Sequence, residues 1–315
     1  MSDNVRNVII IGGGPAGYTS GIYSARAELK PLILAGYQAG GQLMLTTDIE
    51  NFPGFKEGIG GEALMNEMRA QAERFGAEII NEDVTEVDFS SRPFTIKTYS
   101  NEYKTHSVII ATGASARWMG LESEKRLTGS GVSSCATCDG AFYKDKVVCV
   151  VGGGDSAMEE AGFLTRYAKK VYLIHRREGF RASKIMLDRA RNNPKIEFKI
   201  NAVIDDIYSK KEGFLEAVTG IKLRNTVTGE FEDLELDGVF VAIGHIPNTT
   251  IFKDQINLDE QGYILTTMST RTNIEGVYAA GDVVDSRYRQ AITAAGMGCQ
   301  AAIDATRWLE EQGLE

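Results

Sequence analysis

Val8-Ile9-Ile10-Ile11-Gly12-Gly13-Gly14-Pro15-Ala16-Gly17 is the stretch from which the fold can be read. Its β-branched run reads as a buried strand of a parallel sheet. Gly12, Gly14 and Gly17 then give the spacing G-x-G-x-x-G. Tyr18 to Leu29 follows as a helix and Pro31 to Ala35 as a second strand. The glycines therefore sit in the strand–turn–helix context that a dinucleotide fingerprint requires. Gly12 allows the tight turn, Gly14 lets backbone approach a pyrophosphate, and Gly17 lets helix and strand pack closely. The helix start offers free N–H groups and a positive dipole end to phosphates.

The unit recurs 140 residues later. Lys146 to Val151 is a strand, Gly152-Gly153-Gly154-Asp155-Ser156-Ala157 gives G-x-G-x-x-A, and a helix to about Tyr167 leads to a strand at Val171 to Ile174. One such motif is a weak signal; two in matching context are strong. Two further strands end in glycine, Val108 to Gly113 in Ala111-Thr112-Gly113 and Val239 to Gly244 in Ala242-Ile243-Gly244. Both read as returns to a sheet with a sharp exit, and they bracket the second unit. The simplest topology nests one domain in another: 1–114 and 246–315 form the frame, and 115–245 the insert. Ser115-Ala116-Arg117 and His245-Ile246-Pro247 are candidate hinges. Alternating stretches at Pro93 to Thr98, Ile196 to Ile200 and Ala217 to Leu223 suggest half-exposed antiparallel hairpins. The expected class is thus α/β: two Rossmann-like nucleotide-binding domains, each with a small antiparallel sheet.

A length of 315 residues accommodates about two domains. With 43% hydrophobic residues the chain can bury a sizeable core. Its net charge of −9 argues against a general nucleic-acid binder. No apolar run approaches the roughly 18 residues of a membrane span. Polar Met1 to Asn7 leads into only four apolar residues, too few for a signal-peptide core, so a cytoplasmic protein is expected. Four cysteines are too few for a disulfide scaffold, and in a reducing compartment a close pair points to catalysis or metal binding.

The nucleotide at each unit is read from the end of its second strand, where an acid receives a ribose 2′-OH and arginines accommodate a 2′-phosphate. The second unit shows His175-Arg176-Arg177 there, with Arg181 close behind. A solvated basic face would look similar, but the position and the acidic background favour NADP(H). The first unit ends Leu34-Ala35-Gly36-Tyr37-Gln38, with no acid, so these rules leave its ligand open. Gly40-Gly41-Gln42 could meet a cofactor through backbone N–H groups.

Ser133-Ser134-Cys135-Ala136-Thr137-Cys138-Asp139-Gly140 contains the chain's one C-x-x-C. A zinc site would have to recruit Cys149 or Cys299 and distant histidines, so no metal site is expected. Two core cysteines are another reading. A redox pair explains more: Ser133 or Ser134 can cap a short helix and place Cys135 at its positive end, which favours the thiolate. Asp139 could exchange protons with a departing thiolate. Cys149, in a Val-rich strand, and Cys299, in a small-residue helix, read as packing residues.

Taken together the sequence resembles the thioredoxin reductases of low-molecular-weight type over essentially its whole length. The most specific parts are Gly40-Gly41-Gln42-Leu43, Glu50-Asn51-Phe52-Pro53-Gly54, Cys135 to Gly140, His175-Arg176-Arg177 with Arg181, Gly244 to Thr249, and Ala280-Gly281-Asp282-Val283. The resemblance implies that the frame binds FAD. Its candidate cofactor residues are Gly12, Gly14, Pro15, Ala16 and Gly17; Gly36, Gly41, Gln42 and Leu43; Asn51 and Val84; Ala111, Thr112 and Gly113; Gly281 and Asp282, facing the ribitol; and Arg289, Gln290 and Ala291, where a helix begins near the flavin ring. In the insert the NADPH candidates are Gly152, Gly154, Asp155 and Ser156, then His175, Arg176, Arg177 and Arg181, with Ile243 and Gly244. The resemblance further implies a homodimer that reduces thioredoxin. NADPH would reduce FAD, which would open a Cys135–Cys138 disulfide; Cys138 would face the flavin, Cys135 would attack thioredoxin, and Asp139 would move the protons. Because the insert holds both the hydride-donor site and the disulfide, a rotation about the two hinges is expected to bring each to the flavin in turn. Rival readings are the reductase component of a peroxiredoxin system, which usually carries an extra N-terminal region with its own C-x-x-C, a ferredoxin–NADP reductase, which lacks the cysteines, and an NADPH-binding redox sensor.

Overall fold

The structure is a computed structural model that describes residues 5–45, 48–212 and 215–314. The chain divides into two units, one built from residues up to Ser115 and from Ile246 onward, the other from Ala116–His245.

The first unit opens with β1 (Arg6–Ile11), α1 (Pro15–Arg26) and β2 (Leu32–Leu34). The helix starts three residues earlier than the pattern suggests, because the fixed φ of Pro15 suits the first helical position. It also stops earlier, where Glu28 turns left-handed at φ 63°. Next come α2 (Gly61–Arg74), β3 (Glu78–Ile80), β4 (Val84–Asp88), β5 (Phe94–Thr98) and β6 (Glu102–Ile110). β1 lies parallel between β2 and β6, with Ile9 opposite Leu32 on one side and Val108 on the other. Alternate residues of β1 serve the two faces: Val8 and Ile10 join the core under α1 and α2, and Ile9 and Ile11 the core on the other face. β4 and β5 form an antiparallel hairpin that is hydrogen-bonded into this same sheet through β6, so the small sheet expected here is a continuation of the large one.

The chain leaves the first unit through β7 (Ala114–Ala116) and enters the second. There follow α3 (Glu122–Leu127), β8 (Val132–Ser133), α4 (Ala136–Asp139), β9 (Val147–Val151), α5 (Asp155–Leu164), β10 (Lys170–His175), α6 (Lys184–Arg191), β11 (Ile196–Ile200), β12 (Ala202–Glu212), β13 (Leu215–Asn225), β14 (Phe231–Glu235) and β15 (Gly238–Val241). A parallel sheet runs β11-β10-β9-β15-β8, and β12-β13-β14 form a separate antiparallel sheet. The alternation of Ile196 to Ile200 does not mark a hairpin. α6 carries the chain across, so β11 pairs parallel with β10, Val171 opposite Ile196. Its alternation comes from standing at the sheet edge, half covered.

The chain returns through β16 (His245–Pro247), which pairs with β7, so the two crossings run side by side. β17 (Val277–Ala279) adds to the upper half of β6, and α7 (Ala291–Gln312) closes the first unit. α7 crosses α1 at very short range. A Cβ at Gly298 would lie 2.2 Å from the Ala16 carbonyl oxygen. The Ser20 hydroxyl, buried in the crossing, lies within hydrogen-bond distance of the carbonyls of Ala16 (2.8 Å) and Gly298 (3.0 Å). This contact sets the starts of α1 and α7 near each other.

Candidate functional site

In the first unit the glycine turn is built by close backbone packing. A Cβ at Gly12, whose φ is +120°, would sit 2.2 Å from the Ala111 carbonyl oxygen, and one at Gly17 would sit 1.9 Å from that of Gly12. No side chain fits either place. Gly14 and Gly113 differ: a Cβ at either would meet nothing within 4 Å. Their backbone faces open space, as a surface that takes a ligand must. Pro15 and Ala16 head α1. Gly41 lies beside Gly14, and the Gly40 N–H donates to the Gly13 carbonyl at 2.9 Å. Gln42 is exposed in the short 3-10 turn that follows, whereas Leu43 packs on the core.

The strand end without an acid is held by its neighbour. The Gly36 N–H donates to the Glu82 carbonyl at 3.2 Å, and the Tyr37 N–H to Asp83 Oδ1 at 3.0 Å. Val84, at the start of β4, follows directly. Asn248 ties down the opposite turn: its Nδ2 donates to the Thr112 carbonyl at 2.9 Å, and its N–H to the Gly113 carbonyl at 3.0 Å.

Gly281 lies between the two helix starts, where a Cβ would approach the Cβ atoms of Ala16 (2.9 Å) and Ala294 (3.6 Å). It delivers Asp282 beside the glycine turn. The Asp282 carboxyl is largely buried, and its Oδ1 makes no hydrogen bond among the described residues. Burial, reinforced by the Asp285 charge and opposed by Arg289, pushes this acid up to about 7. Asp285 in turn accepts the N–H groups of Arg287 (2.9 Å), Tyr288 (2.8 Å) and Arg289 (3.0 Å), shaping the turn into α7. Gln290 is the cap residue before Ala291, and Asn51 Nδ2 donates to its Oε1 at 3.4 Å. An open glycine face, a helix start and a buried acceptor lacking a partner fit a long ligand carrying phosphates and hydroxyls. The residues present therefore fit a flavin dinucleotide.

The second unit repeats the design. A Cβ at Gly152 would lie 2.4 Å from the Ala242 carbonyl oxygen, while Gly154 faces open space. Ile243 and Gly244 follow Ala242 at the end of β15, Gly244 with φ +104°. Asp155, at the first position of α5, is committed to the protein: its Oδ1 accepts the Ser183 N–H at 2.7 Å and hydroxyl at 2.9 Å. Ser156 follows it in the same first turn. His175 is buried, its ring stacked on Phe180 and its Nε2 3.0 Å from the Gly179 carbonyl oxygen. It shapes the loop, while Arg176, Arg177 and Arg181 lie exposed around it. The N–H groups of Arg181 and Ala182 donate to the Gly153 carbonyl (2.8 and 3.1 Å), which folds this basic loop back onto the glycine turn.

Cys135 and Cys138 form a disulfide with their Cα atoms 5.3 Å apart. The expected serine cap is replaced: Cys135 itself is the cap residue of α4, and the Ser133 hydroxyl accepts its N–H at 3.0 Å. Cys135 Sγ lies 3.4 Å from the Thr137 hydroxyl. Burial raises the Asp139 carboxyl against a hydrogen bond from Ser133, so it holds a proton more readily than an exposed aspartate. Burial, with the charges of Asp139 and Asp237, likewise pushes the Tyr143 phenol up to about 12. Cys149 and Cys299 are free thiols. Cys149 is fully buried, which pushes its thiol far up and makes it inert. Among the described residues no three His, Cys, Asp or Glu side chains group to hold a metal, and no helix is long and apolar enough to cross a membrane.

The family model for pyridine nucleotide-disulphide oxidoreductases matches residues 6–298. A thioredoxin reductase of Mycolicibacterium smegmatis is 55% identical over 312 residues, 99% of each chain. A bifunctional thioredoxin reductase/thioredoxin of Mycobacterium leprae is 52% identical over 98% of this chain and 67% of its own length. The solved thioredoxin reductase of Giardia duodenalis superposes with a TM-score of 0.91 at 46% identity, covering 96% of this chain and 98% of that one. The chain belongs to the pyridine nucleotide-disulphide oxidoreductases and, within them, to the thioredoxin reductases of low-molecular-weight type.

Two organising residues carry no signal in the sequence. Asp83 and Asp285 act through backbone N–H groups, and ordinary loop acids look the same before the chain is folded. Asn248 lies in one of the family-like stretches, but its partners, Thr112 and Gly113, are more than 130 residues away.

Proposed function

We propose that this reductase draws electrons from NADPH through FAD and delivers them, by way of Cys135 and Cys138, to the disulfide of thioredoxin. The observation that carries the reading is the half-exposed Cys135–Cys138 disulfide with a half-buried acid next to it, in a unit that also presents a glycine turn and exposed arginines. Gly14, Gly113, Asp282 and the start of α7 would hold FAD, and Gly154 with Arg176, Arg177 and Arg181 would hold NADPH. Arginine forks match the 2′-phosphate in charge and geometry, which selects this coenzyme over NADH. Together the two cofactors supply the electron pair that opens the disulfide.

The remaining steps belong to the chain. Opening the Cys135–Cys138 bond with two electrons leaves two sulfurs, and Asp139 carries one of the protons they need. As a thiolate, Cys135 attacks one sulfur of the substrate disulfide; that bond breaks, a mixed disulfide forms, and the leaving sulfur takes a proton. Asp139 then accepts the proton of Cys138. The Cys138 thiolate attacks Cys135 Sγ, releases the second substrate sulfur and restores the internal disulfide. Thioredoxin as the substrate is supported by the names of the close relatives, one of which joins reductase and thioredoxin in one chain. The working form is taken to be a homodimer in the cytoplasm. The mechanism is tested by trapping. Cys138→Ser should accumulate a mixed disulfide between Cys135 and thioredoxin, mapped by mass spectrometry, and Cys135→Ser should not. A mixed disulfide through Cys138 in the Cys135→Ser protein would reverse the assigned roles.

A further inference from the structure

The backbone of Cys135 is held from both sides. The Ser133 hydroxyl accepts its N–H at 3.0 Å, and its carbonyl accepts the N–H groups of Cys138 (3.3 Å) and Asp139 (3.2 Å). None of these bonds runs through sulfur, so opening the Cys135–Cys138 disulfide leaves the turn in place. Two residues on, the Thr137 hydroxyl lies 3.4 Å from Cys135 Sγ. A disulfide sulfur carries no hydrogen, so the hydroxyl is the donor in this contact. Thr137 is exposed and Cys135 half-exposed, so a substrate sulfur can reach the pair from solvent.

A neutral sulfur is a weak acceptor and a thiolate a strong one, because a hydrogen bond to an ionised partner is roughly twice as strong as a neutral one. The contact therefore gains strength when the disulfide opens and charge settles on Cys135. We infer that Thr137 is a catalytic residue of the disulfide exchange, its hydroxyl holding Cys135 Sγ as the thiolate that attacks. No proton leaves the hydroxyl. When the thiolate attacks, its charge passes to the departing substrate sulfur, and the hydrogen bond returns to its resting strength. The inference rests on the attacking role proposed for Cys135.

The surroundings give the hydroxyl this task. The titratable groups of the elements around the turn are Asp139 in α4, Tyr143 in the turn after it with Lys146 over its ring, Asp237 before β15, and Glu160 of α5, one turn ahead of Leu164, which lies against Gly140. Three carboxyls against one ammonium make the local charge disfavour a thiolate. Among the described residues the Thr137 hydroxyl is the donor in contact with Cys135 Sγ. It also tells the two cysteines apart. Charge is favoured on Cys135, which leaves Cys138 to take the proton that Asp139 carries.

The test uses the flavin-loaded Cys138→Ala protein, in which Cys135 is a free thiol, alone and combined with Thr137→Val or Thr137→Ser. Alkylation by iodoacetamide is followed against pH and mapped to Cys135 by mass spectrometry, which sets the free thiols of Cys149 and Cys299 apart. Valine keeps the shape and loses the hydroxyl, so the Cys135 midpoint should rise by about one pH unit; serine keeps the hydroxyl and should leave the midpoint in place. A thiol of higher pKa is less ionised but more nucleophilic. In Thr137→Val the rate of mixed-disulfide formation with thioredoxin should therefore fall about threefold below the midpoint and rise about threefold above it, so that the two pH profiles cross. An unshifted midpoint in Thr137→Val, an equal shift in Thr137→Ser, or a rate lowered alike at every pH would overturn the inference. The alkylation midpoint reports the hydrogen bond whether or not Cys135 attacks thioredoxin. A shifted midpoint with no thioredoxin on Cys135 would remove the attacking role and leave the hydrogen bond standing.

Discussion

Asp282 shows how a single side chain records the ligand for which its surroundings are built. Its carboxyl is buried, pushed up to about 7, and lacks a hydrogen bond at Oδ1. In the unfolded chain the same acid titrates near ~3.9. With flavin removed, the native state binds the proton more tightly between those two values, so stability is fully present below about pH 4 and is lost as pH rises to about 7. The span of about three pH units bounds the loss at roughly 4 kcal/mol. Thermal melts of the flavin-free protein should therefore fall across this window, and Asp282→Asn should flatten the fall. An identical slope in the variant would assign the pH dependence to other groups. The glycines around this acid were legible in the sequence because their spacing is local: Gly12 turns at φ +120°, and Gly17 packs on the Gly12 carbonyl five residues before it, where no side chain fits. Asp83 and Asp285 were not, since a carboxylate that receives backbone N–H groups looks like any solvated acid until the turn around it exists.

At the level of elements, the crossing of α1 and α7 decides where the flavin candidates meet. Gly298 and Ser20 let the helices touch, and Gly281 fits between Ala16 and Ala294. Gly298→Ala would place a Cβ 2.2 Å from backbone oxygen, so the helices must part. Overpacking of this kind costs about 1–3 kcal/mol. The variant should melt several degrees lower and release its flavin more readily, read by fluorescence of the freed cofactor. Normal retention of the flavin would mean that the helix starts are held by other contacts. The strand–helix–strand unit was legible because a β-branched run, glycine spacing and a helix coincide within thirty residues. β11 was misread because period-two alternation reports a half-covered strand without saying which way its neighbour runs. The hairpin of β4 and β5 was read as a hairpin, but its continuity with the large sheet depends on β6 changing partners along its length, from β5 to β17.

At the scale of the whole molecule, the chain builds one nucleotide-binding design twice. Each unit has a parallel sheet, a first glycine packed on a strand-end carbonyl and a third glycine facing open space. The second copy differs by adding the basic loop and the cysteine pair, so the unit that would take the coenzyme also carries the disulfide. The central claim is that electrons from NADPH reach thioredoxin only through Cys135 and Cys138. The direct measurement follows NADPH absorbance and thioredoxin thiols together in the wild type, Cys135→Ser and Cys138→Ser proteins, each verified to retain its flavin. The wild type should form one thioredoxin dithiol for each NADPH consumed, and both variants should lose turnover with thioredoxin. Near-normal thioredoxin reduction by either flavin-loaded variant would contradict the account.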